Sequence, residues 1–557
     1  MQIDESVSRY LVRRIEELGV GFVPFITGGA IMKIVDEIGQ SKKIAWISPN
    51  HEQALSMMVD AYARLTGFGV GVVTSGPGGT NLITGIACAY YDSVPCLFIT
   101  GQVGMFHVKG KRSVRQRGFQ ETDIFNLVKP ITKYSVLLEN PEDVRYEFEK
   151  AVYLAKSGRP GPVLIDVPYN VQREKINPDK LRRFSPPEKE TPSNLDKIVS
   201  EVLYELKKAK KPLILAGGGV KTSFQDENLR KLTAKLNIPI ATTWSATDIF
   251  PPSYRLYLGN VGRGGNHSAV KAIQESDLIL GLGTRFTTKV IIDEKKFAKG
   301  TKIISVDADD GEMNESLVNI SKKINIDLKD FLPALLKKAE KLSVKSWLDE
   351  TALMKKNFKI DATRQYSQKY LSPYELINTL SDLLPDDAVI IPDCGCNLIW
   401  TVQAYKAKVG QSFFSAWGHS PMGYSFAASI GAWFARKKSP IIAIIGDGGM
   451  QMNIQELQTA VLNKIPVKVF VLNNRSYGNT KFAARDQFEG RSFGNEIGWG
   501  YEPPDYKKIA HAYGIKYMQI KNNKGLKDKL KAILKSRGPI LADFNIDPEQ
   551  YIFENTL

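Results

Sequence analysis

Residues 440–452 read Pro-Ile-Ile-Ala-Ile-Ile-Gly-Asp-Gly-Gly-Met-Gln-Met, and residues 472–474 read Leu-Asn-Asn. The run 440–445 carries no polar alternation, the pattern of a strand buried on both faces of a parallel sheet. It ends in Gly446-Asp447-Gly448, which fixes a carboxylate at a strand's C-terminal edge. Asn453 to Asn463 then reads as a helix with Ile454, Leu457, Ala460 and Val461 on one face. A second apolar run, 467–472, reads as the next strand and delivers Asn474. That spacing is one βαβ unit, so Asp447 and Asn474 are expected to end neighbouring strands and meet. Two hard oxygen ligands beside glycine backbone suit a magnesium ion holding a diphosphate.

Around this unit, a chain of 557 residues exceeds one hydrophobic core and is expected to form two to four domains. Residues 1–183 alternate helix and strand. The stretch 184–192, Phe-Ser-Pro-Pro-Glu-Lys-Glu-Thr-Pro, reads as a linker. A second α/β block spans 193–340, with strands at 212–216, 278–281 and 302–306. A lysine-rich helical tract and polar segment cover roughly 335–370, and a third block, 371–557, carries the Asp447 motif. The expected fold class is α/β, with three doubly wound parallel-sheet domains.

Composition narrows the function. Hydrophobic residues at 43% and charged residues at 24% are those of a globular protein. Four cysteines (Cys88, Cys96, Cys394, Cys396) do not make a disulfide framework at this length, which points to a reducing cytoplasm. Cys394-Gly395-Cys396 lacks the spacing and second pair of a metal clip. The start, Met1 to Ser6, has no signal-peptide pattern, and no apolar run approaches the roughly 18 residues of a membrane span. The net charge of +16 raises nucleic-acid binding. The lysines, however, are spread over amphipathic stretches such as 526–535, and no nucleic-acid motif occurs. A solvated basic surface is the better reading, with neither nucleic acid nor membrane as partner.

In the first block, 43–48 reads as a short strand before Asn50-His51-Glu52-Gln53-Ala54. A helix then runs to about Thr66, with Ala54, Met57, Met58, Ala61 and Tyr62 as its buried stripe. Glu52 therefore sits at a strand-to-helix junction, either as a site carboxylate or as an acid favouring the helix dipole. Residues 69–81 form a strand entering a glycine-rich loop, and 96–102 a further strand. Pro421-Met422-Gly423 precedes an apolar helix, so Met422 is either core or site.

The Gly446-Asp447-Gly448 to Asn473-Asn474 unit resembles the thiamin diphosphate motif. The run from Glu52 to Gln102 resembles the pyrimidine-binding domain of acetolactate synthase and its relatives, and the likeness covers nearly the whole chain. It implies that Glu52 hydrogen-bonds the aminopyrimidine ring, which then takes the thiazolium C2 proton. It places Gln102, Phe119 and Gln120 in the reaction space, the last two through Gly118-Phe119-Gln120-Glu121-Thr122-Asp123. It assigns Gly28, Pro77, Gly446, Gly448, Gly449 and Met450 to the cofactor, Met422 to a wedge that bends it, and Asp447, Asn474 and Ser476 to Mg2+. It also implies a homodimer or homotetramer, in which the pyrimidine domain of one subunit meets the diphosphate domain of another.

Glycine turns follow two strands of the middle block, at Gly217-Gly218-Gly219 and Gly281-Leu282-Gly283. Such turns are common, but the family resemblance implies a non-redox FAD there, with Gly217, Gly218, Arg159, Arg285 and Asp307 as contacts. The chain departs from the family at Thr287-Thr288-Lys289, where Asp-Asp-Arg is common. The implied reaction is decarboxylation of pyruvate and transfer of its two-carbon unit to a second 2-oxo acid. Other departures bear on the acceptor. No Trp occurs near Ala483, Tyr169 replaces a usual Lys, and His107 to Arg117 holds five Lys/Arg and no acid. That stretch is either a solvated loop or an anion clamp. It also resembles carboligases that add two carbons to nucleotide-linked keto-sugars in surface-polysaccharide synthesis. That reaction and simple 2-oxo acid decarboxylation are the alternatives.

Overall fold

The computed structural model describes residues 4–188, 194–357 and 367–553. Met1 to Ile3, the end of the 184–192 linker and part of the 335–370 tract lie outside the described residues.

Three parallel sheets form, one in each block. The first orders its strands Phe25–Ile26, Gly69–Val73, Cys96–Gln102, Val163–Pro168, Tyr134–Leu137. The second runs Tyr257–Asn260, Ile240–Thr242, Pro212–Ala216, Leu278–Leu282, Lys302–Asp307, Lys322–Asn325. The third runs Ser412–Phe413, Val389–Pro392, Ile441–Gly446, Lys468–Asn473, Ile540–Asn545, Lys516–Ile520. Helices return the chain between parallel neighbours, as such sheets require. The unpatterned apolar runs read from the sequence are the central, fully buried strands.

The first and third domains share one core. A single buried cluster joins Val7, Met57 and Ile165 to Phe426, Ile445 and Val471. Its centre is the pairing of helix Glu52–Thr66 with helix Tyr424–Ala435. Glu52–Thr66 starts where the His51 side chain accepts from the Gln53 amide, and stops at left-handed Gly67. Residues 54–63 are all buried, so the helix is enclosed well beyond the expected stripe. The two helices cross at Gly431, where a Cβ would lie 2.1 Å from the Met58 carbonyl oxygen. Beside the crossing, Arg64 donates to Asp60 and Asp92 at 2.7 Å each, and the Tyr424 hydroxyl donates to Asp60. Asp92 in turn accepts from the Trp417 and Gly418 amides. Charges this deeply buried are tolerated because each is paired and hydrogen-bonded.

The middle domain has its own core. It extends past the boundary expected at 340. Helix Lys345–Asn357 packs its buried Trp347 into this core, and the indole N–H donates to the Pro212 carbonyl at 3.0 Å. Two local expectations also change. Residues 43–48 are not a strand: Ala45 makes one isolated bridge to Phe22, and beyond it only the Phe25 amide reaches across, to the Ile47 carbonyl. The helix expected over 453–463 starts three residues later, at Glu456–Leu462, and a separate short helix, Asp447–Met452, precedes it. The break is at Asn453, whose side-chain amide donates to the Gly423 carbonyl at 2.9 Å.

Gly431→Val should lower the first thermal unfolding transition measured by calorimetry, because overpacking costs about 1–3 kcal/mol. An unchanged transition would mean that the helices can separate at this point without penalty.

Candidate active site

Gly446 pairs in register with Leu472, so the chain leaves both strands at the same sheet edge. Asp447 and Asn474 lie just beyond that pair and are 1% and 4% exposed. Asp447 Oδ1 accepts from the Gly448 amide at 3.0 Å. Its Oδ2 and the Ser476 hydroxyl are buried without a hydrogen-bond partner. Burial pushes the Asp447 carboxyl up to about 7. A hard cation would satisfy both oxygens and favour the ionised carboxylate. No group of three or more His, Cys, Asp or Glu suited to a metal occurs among the described residues. One carboxylate with neutral oxygens is what Mg2+ takes when phosphates complete its shell, so the donor set fits.

The glycines here are close-packing positions. A Cβ on Gly448 would lie 2.0 Å from the Tyr477 ring, and one on Gly449 would lie 2.4 Å from Asp393 Oδ2. Gly446 is open by comparison, with Asn397 at 3.5 Å. The Met450 side chain is fully buried in the shared core, so only its backbone is left for a ligand. Met422 is half-buried and is therefore not a core residue. Its neighbour Gly423 donates its amide to Asp393 Oδ2 at 3.0 Å, and the Ser425 amide donates to Oδ1 at 3.0 Å. Burial pushes the Asp393 carboxyl up to about 6. Asp393 was missed in the sequence, although it follows an apolar run, Val389–Pro392, in the same way that Asp447 follows its own.

In the first domain, Glu52 is half-buried and its Oε2 accepts from the Asn81 side-chain amide at 2.9 Å. Pro77 opens the short helix Pro77–Thr80 and is exposed. Gly28 packs on Thr74, whose Oγ1 would lie 2.4 Å from a Cβ there. Gln120 adopts φ +63° and sits over Gly76, which could take a Cβ only 3.0 Å from the Gln120 carbonyl. This seats Phe119, 86% exposed, beside the Pro77 loop. Gln102 is corrected: it is buried and fully engaged. Its Nε2 donates to the Thr122 carbonyl and to Asp166, and its Oε1 accepts from the Val103 amide. It is scaffold, with no free atom for a reacting group. The basic 107–117 stretch closes around Glu121, which accepts from the Lys109, Arg117 and Gly118 amides. Lys111, Arg115 and Arg117 point outward and are exposed.

A cavity of about 640 Å³ opens where the middle domain meets the other two. Arg159, Gly218, Arg285 and Asp307 line it. Gly217 does not: its Cβ position lies 2.2 Å from the Gly283 carbonyl, a loop-on-loop contact. Arg159 pairs with Asp309 at 2.8 Å and Glu312 at 2.5 Å, and Arg285 pairs with Glu312 at 3.0 Å. Burial pushes the Asp307 carboxyl up to about 6. Trp244 Nε1 and Asp248 Oδ1, both at the lining, are buried without partners. The wall thus offers a donor and an acceptor to a polar ligand.

Three family profiles follow one another along the chain in the order of the three sheets. The thiamine pyrophosphate enzyme N-terminal TPP binding domain matches residues 5–127. The central domain of the same enzymes matches 199–335, and the C-terminal TPP binding domain matches 393–544. These define a thiamine pyrophosphate enzyme. The chain is 34% identical to the acetolactate synthase large subunit of Lactococcus lactis subsp. lactis over 98% of its length and 93% of that protein. It is 32% identical to the large subunit of Corynebacterium glutamicum, over 98% and 87% of the two chains. It is also 32% identical to acetolactate synthase 2, chloroplastic, of Nicotiana tabacum, over 98% and 82%. The chain belongs to the acetolactate synthase large-subunit family.

Asp447→Ala should raise the dissociation constant for thiamin diphosphate in the presence of Mg2+ by a factor on the order of 100, read by equilibrium dialysis. Unchanged affinity would remove Asp447 from the metal set.

Proposed function

We propose that the protein decarboxylates pyruvate and transfers the resulting two-carbon unit to a second 2-oxo acid, with thiamin diphosphate and Mg2+ as cofactors. The full-length match to acetolactate synthase large subunits carries this reading. The unpartnered oxygens of Asp447 and Ser476 support it, as does the Glu52 carboxylate held by Asn81. Thiamin diphosphate, when bound, would supply a carbon nucleophile once its C–H proton is removed, and an electron sink for the pair released with carbon dioxide. Asp447, Asn474 and Ser476 hold the metal and through it the diphosphate. Glu52 hydrogen-bonds the pyrimidine ring and sets its basicity. Met422 would pack against the cofactor, and Asp393 fixes the loop that carries it. Phe119 and Gln120 border the acceptor space.

The central cavity is proposed to hold FAD in a structural role, with Arg159, Gly218, Arg285 and Asp307 around it. The site is proposed to form between subunits of a homodimer or homotetramer. The exposure of Phe119 and the half-exposure of Glu52 in the single chain agree with this arrangement. No helix among the described residues is long and apolar enough to cross a membrane. We place the enzyme in the cytoplasm.

The test is incubation with pyruvate, thiamin diphosphate and Mg2+. Acetolactate is the expected product, and acetaldehyde alone would refute carboligation. Little turnover until a nucleotide-linked keto-sugar is added would replace the acceptor. Glu52→Gln should lower pyruvate turnover by about 10²- to 10⁴-fold, the usual contribution of acid–base catalysis. Purified protein should show bound flavin in its visible absorption spectrum, and a colourless active enzyme would remove FAD.

A further inference from the structure

Glu456 opens the second helix after the Asp447 motif and is fully buried. No cation among the described residues pairs with it. Both carboxylate oxygens accept from the Asn50 backbone amide, at 3.1 and 3.2 Å. Thr459 Oγ1 donates to Glu456 Oε2 at 2.6 Å. The Asn50 side-chain amide returns to the same helix, donating to the Gln455 carbonyl and to Thr459 Oγ1 at 3.0 Å each. Residue 50 is therefore gripped, through its backbone and its side chain, by a helix more than 400 positions away in the chain. The next residue is Glu52, and His51 is the cap that starts its helix.

A carboxylate buried without a cation is an expensive way to join two domains. Burial pushes the Glu456 carboxyl up to about 7. Apolar packing would join the domains at less cost, as it does at Gly431. What the carboxylate adds is direction: it orients the Asn50 amide, two residues before Glu52. Position matters there, because a displacement of about 1 Å at a reacting group can cost 100-fold in rate.

We propose that Glu456 is a positioning residue for Glu52: it clamps the Asn50 backbone, just ahead of the His51 cap, so that the Glu52 carboxylate is presented to the pyrimidine ring at a fixed place. This rests on the thiamin diphosphate reading of the site. The clamp touches neither the candidate metal ligands nor the diphosphate loop, so cofactor affinity and proton removal should separate.

The experiment uses the full chain loaded with thiamin diphosphate and Mg2+. Two quantities are read: cofactor affinity by dialysis, and the rate of H/D exchange at the thiazolium C2 by quench NMR. Glu456→Ala should keep affinity within about threefold and slow exchange on the order of 10- to 100-fold. Glu456→Gln should recover part of the rate, because its amide oxygen still accepts from Asn50. Thr459→Val is a milder variant for use if Glu456→Ala does not fold, and it should slow exchange by a smaller factor. Wild-type exchange rates in variants that are merely less stable would overturn the proposal and leave Glu456 as a domain tether. Loss of affinity and exchange in equal measure would overturn it too. A wild-type chain that binds no thiamin diphosphate would overturn the site reading, and this inference with it. Slow exchange in Glu52→Gln with normal exchange in all Glu456 and Thr459 variants would overturn this inference alone.

Discussion

The crossing of helix Glu52–Thr66 with helix Tyr424–Ala435 is the constraint on which the molecule depends. At Gly431 the two backbones come so close that a single methyl group would strike the Met58 carbonyl. Everything nearby follows from that approach. The core of the first domain runs into the core of the third. The Arg64, Asp60, Asp92 and Tyr424 side chains are sealed beside the crossing, where only mutual pairing makes their burial tolerable. The start of one helix carries Glu52, and the loop before the other carries Met422. The crossing therefore fixes both in one rigid frame.

The candidate site is built from strand ends. Asp393 and Asp447 leave adjacent parallel strands, and Asn474 leaves the next one. Each polar side chain is delivered by an apolar run that is buried for reasons unrelated to chemistry. The glycines between them serve close packing as much as ligand access, since Tyr477 and Asp393 already occupy the space beside Gly448 and Gly449. In the middle domain, Gly217 meets Gly283 in the same way, and Gly218 is left to face the cavity.

What was legible in the sequence is what local pattern encodes. Buried parallel strands announce themselves as uninterrupted apolar runs, so the three sheets and the Asp447–Asn474 unit could be read directly. The helix after His51 was readable because its cap and its closing glycine are local. What was not legible is set by distant partners. The middle domain extends past 340 because Trp347 reaches Pro212, a contact that no window of sequence contains. The helix after Asp447 breaks because Asn453 bonds to Gly423, thirty positions away. Gln102 looked available at a strand end until Asp166 and Thr122 were seen to consume its amide. Glu456 read only as a position on a helix, since its partners lie in the first domain.

The shared core has a consequence for synthesis of the chain. Tyr424 is made 358 residues after Thr66. At roughly 5–20 residues per second, the inner face of the Glu52 helix waits on the order of 20–70 s for its partner. During that interval the middle domain, with a core of its own, can already close. The first domain can bury one face of that helix in a cluster of its own, but the face that meets Tyr424–Ala435 remains open to solvent and to other chains. Order of translation and order of completion therefore differ: the segment that emerges first is finished last. A bound chaperone, or a second nascent chain, would find its opening there.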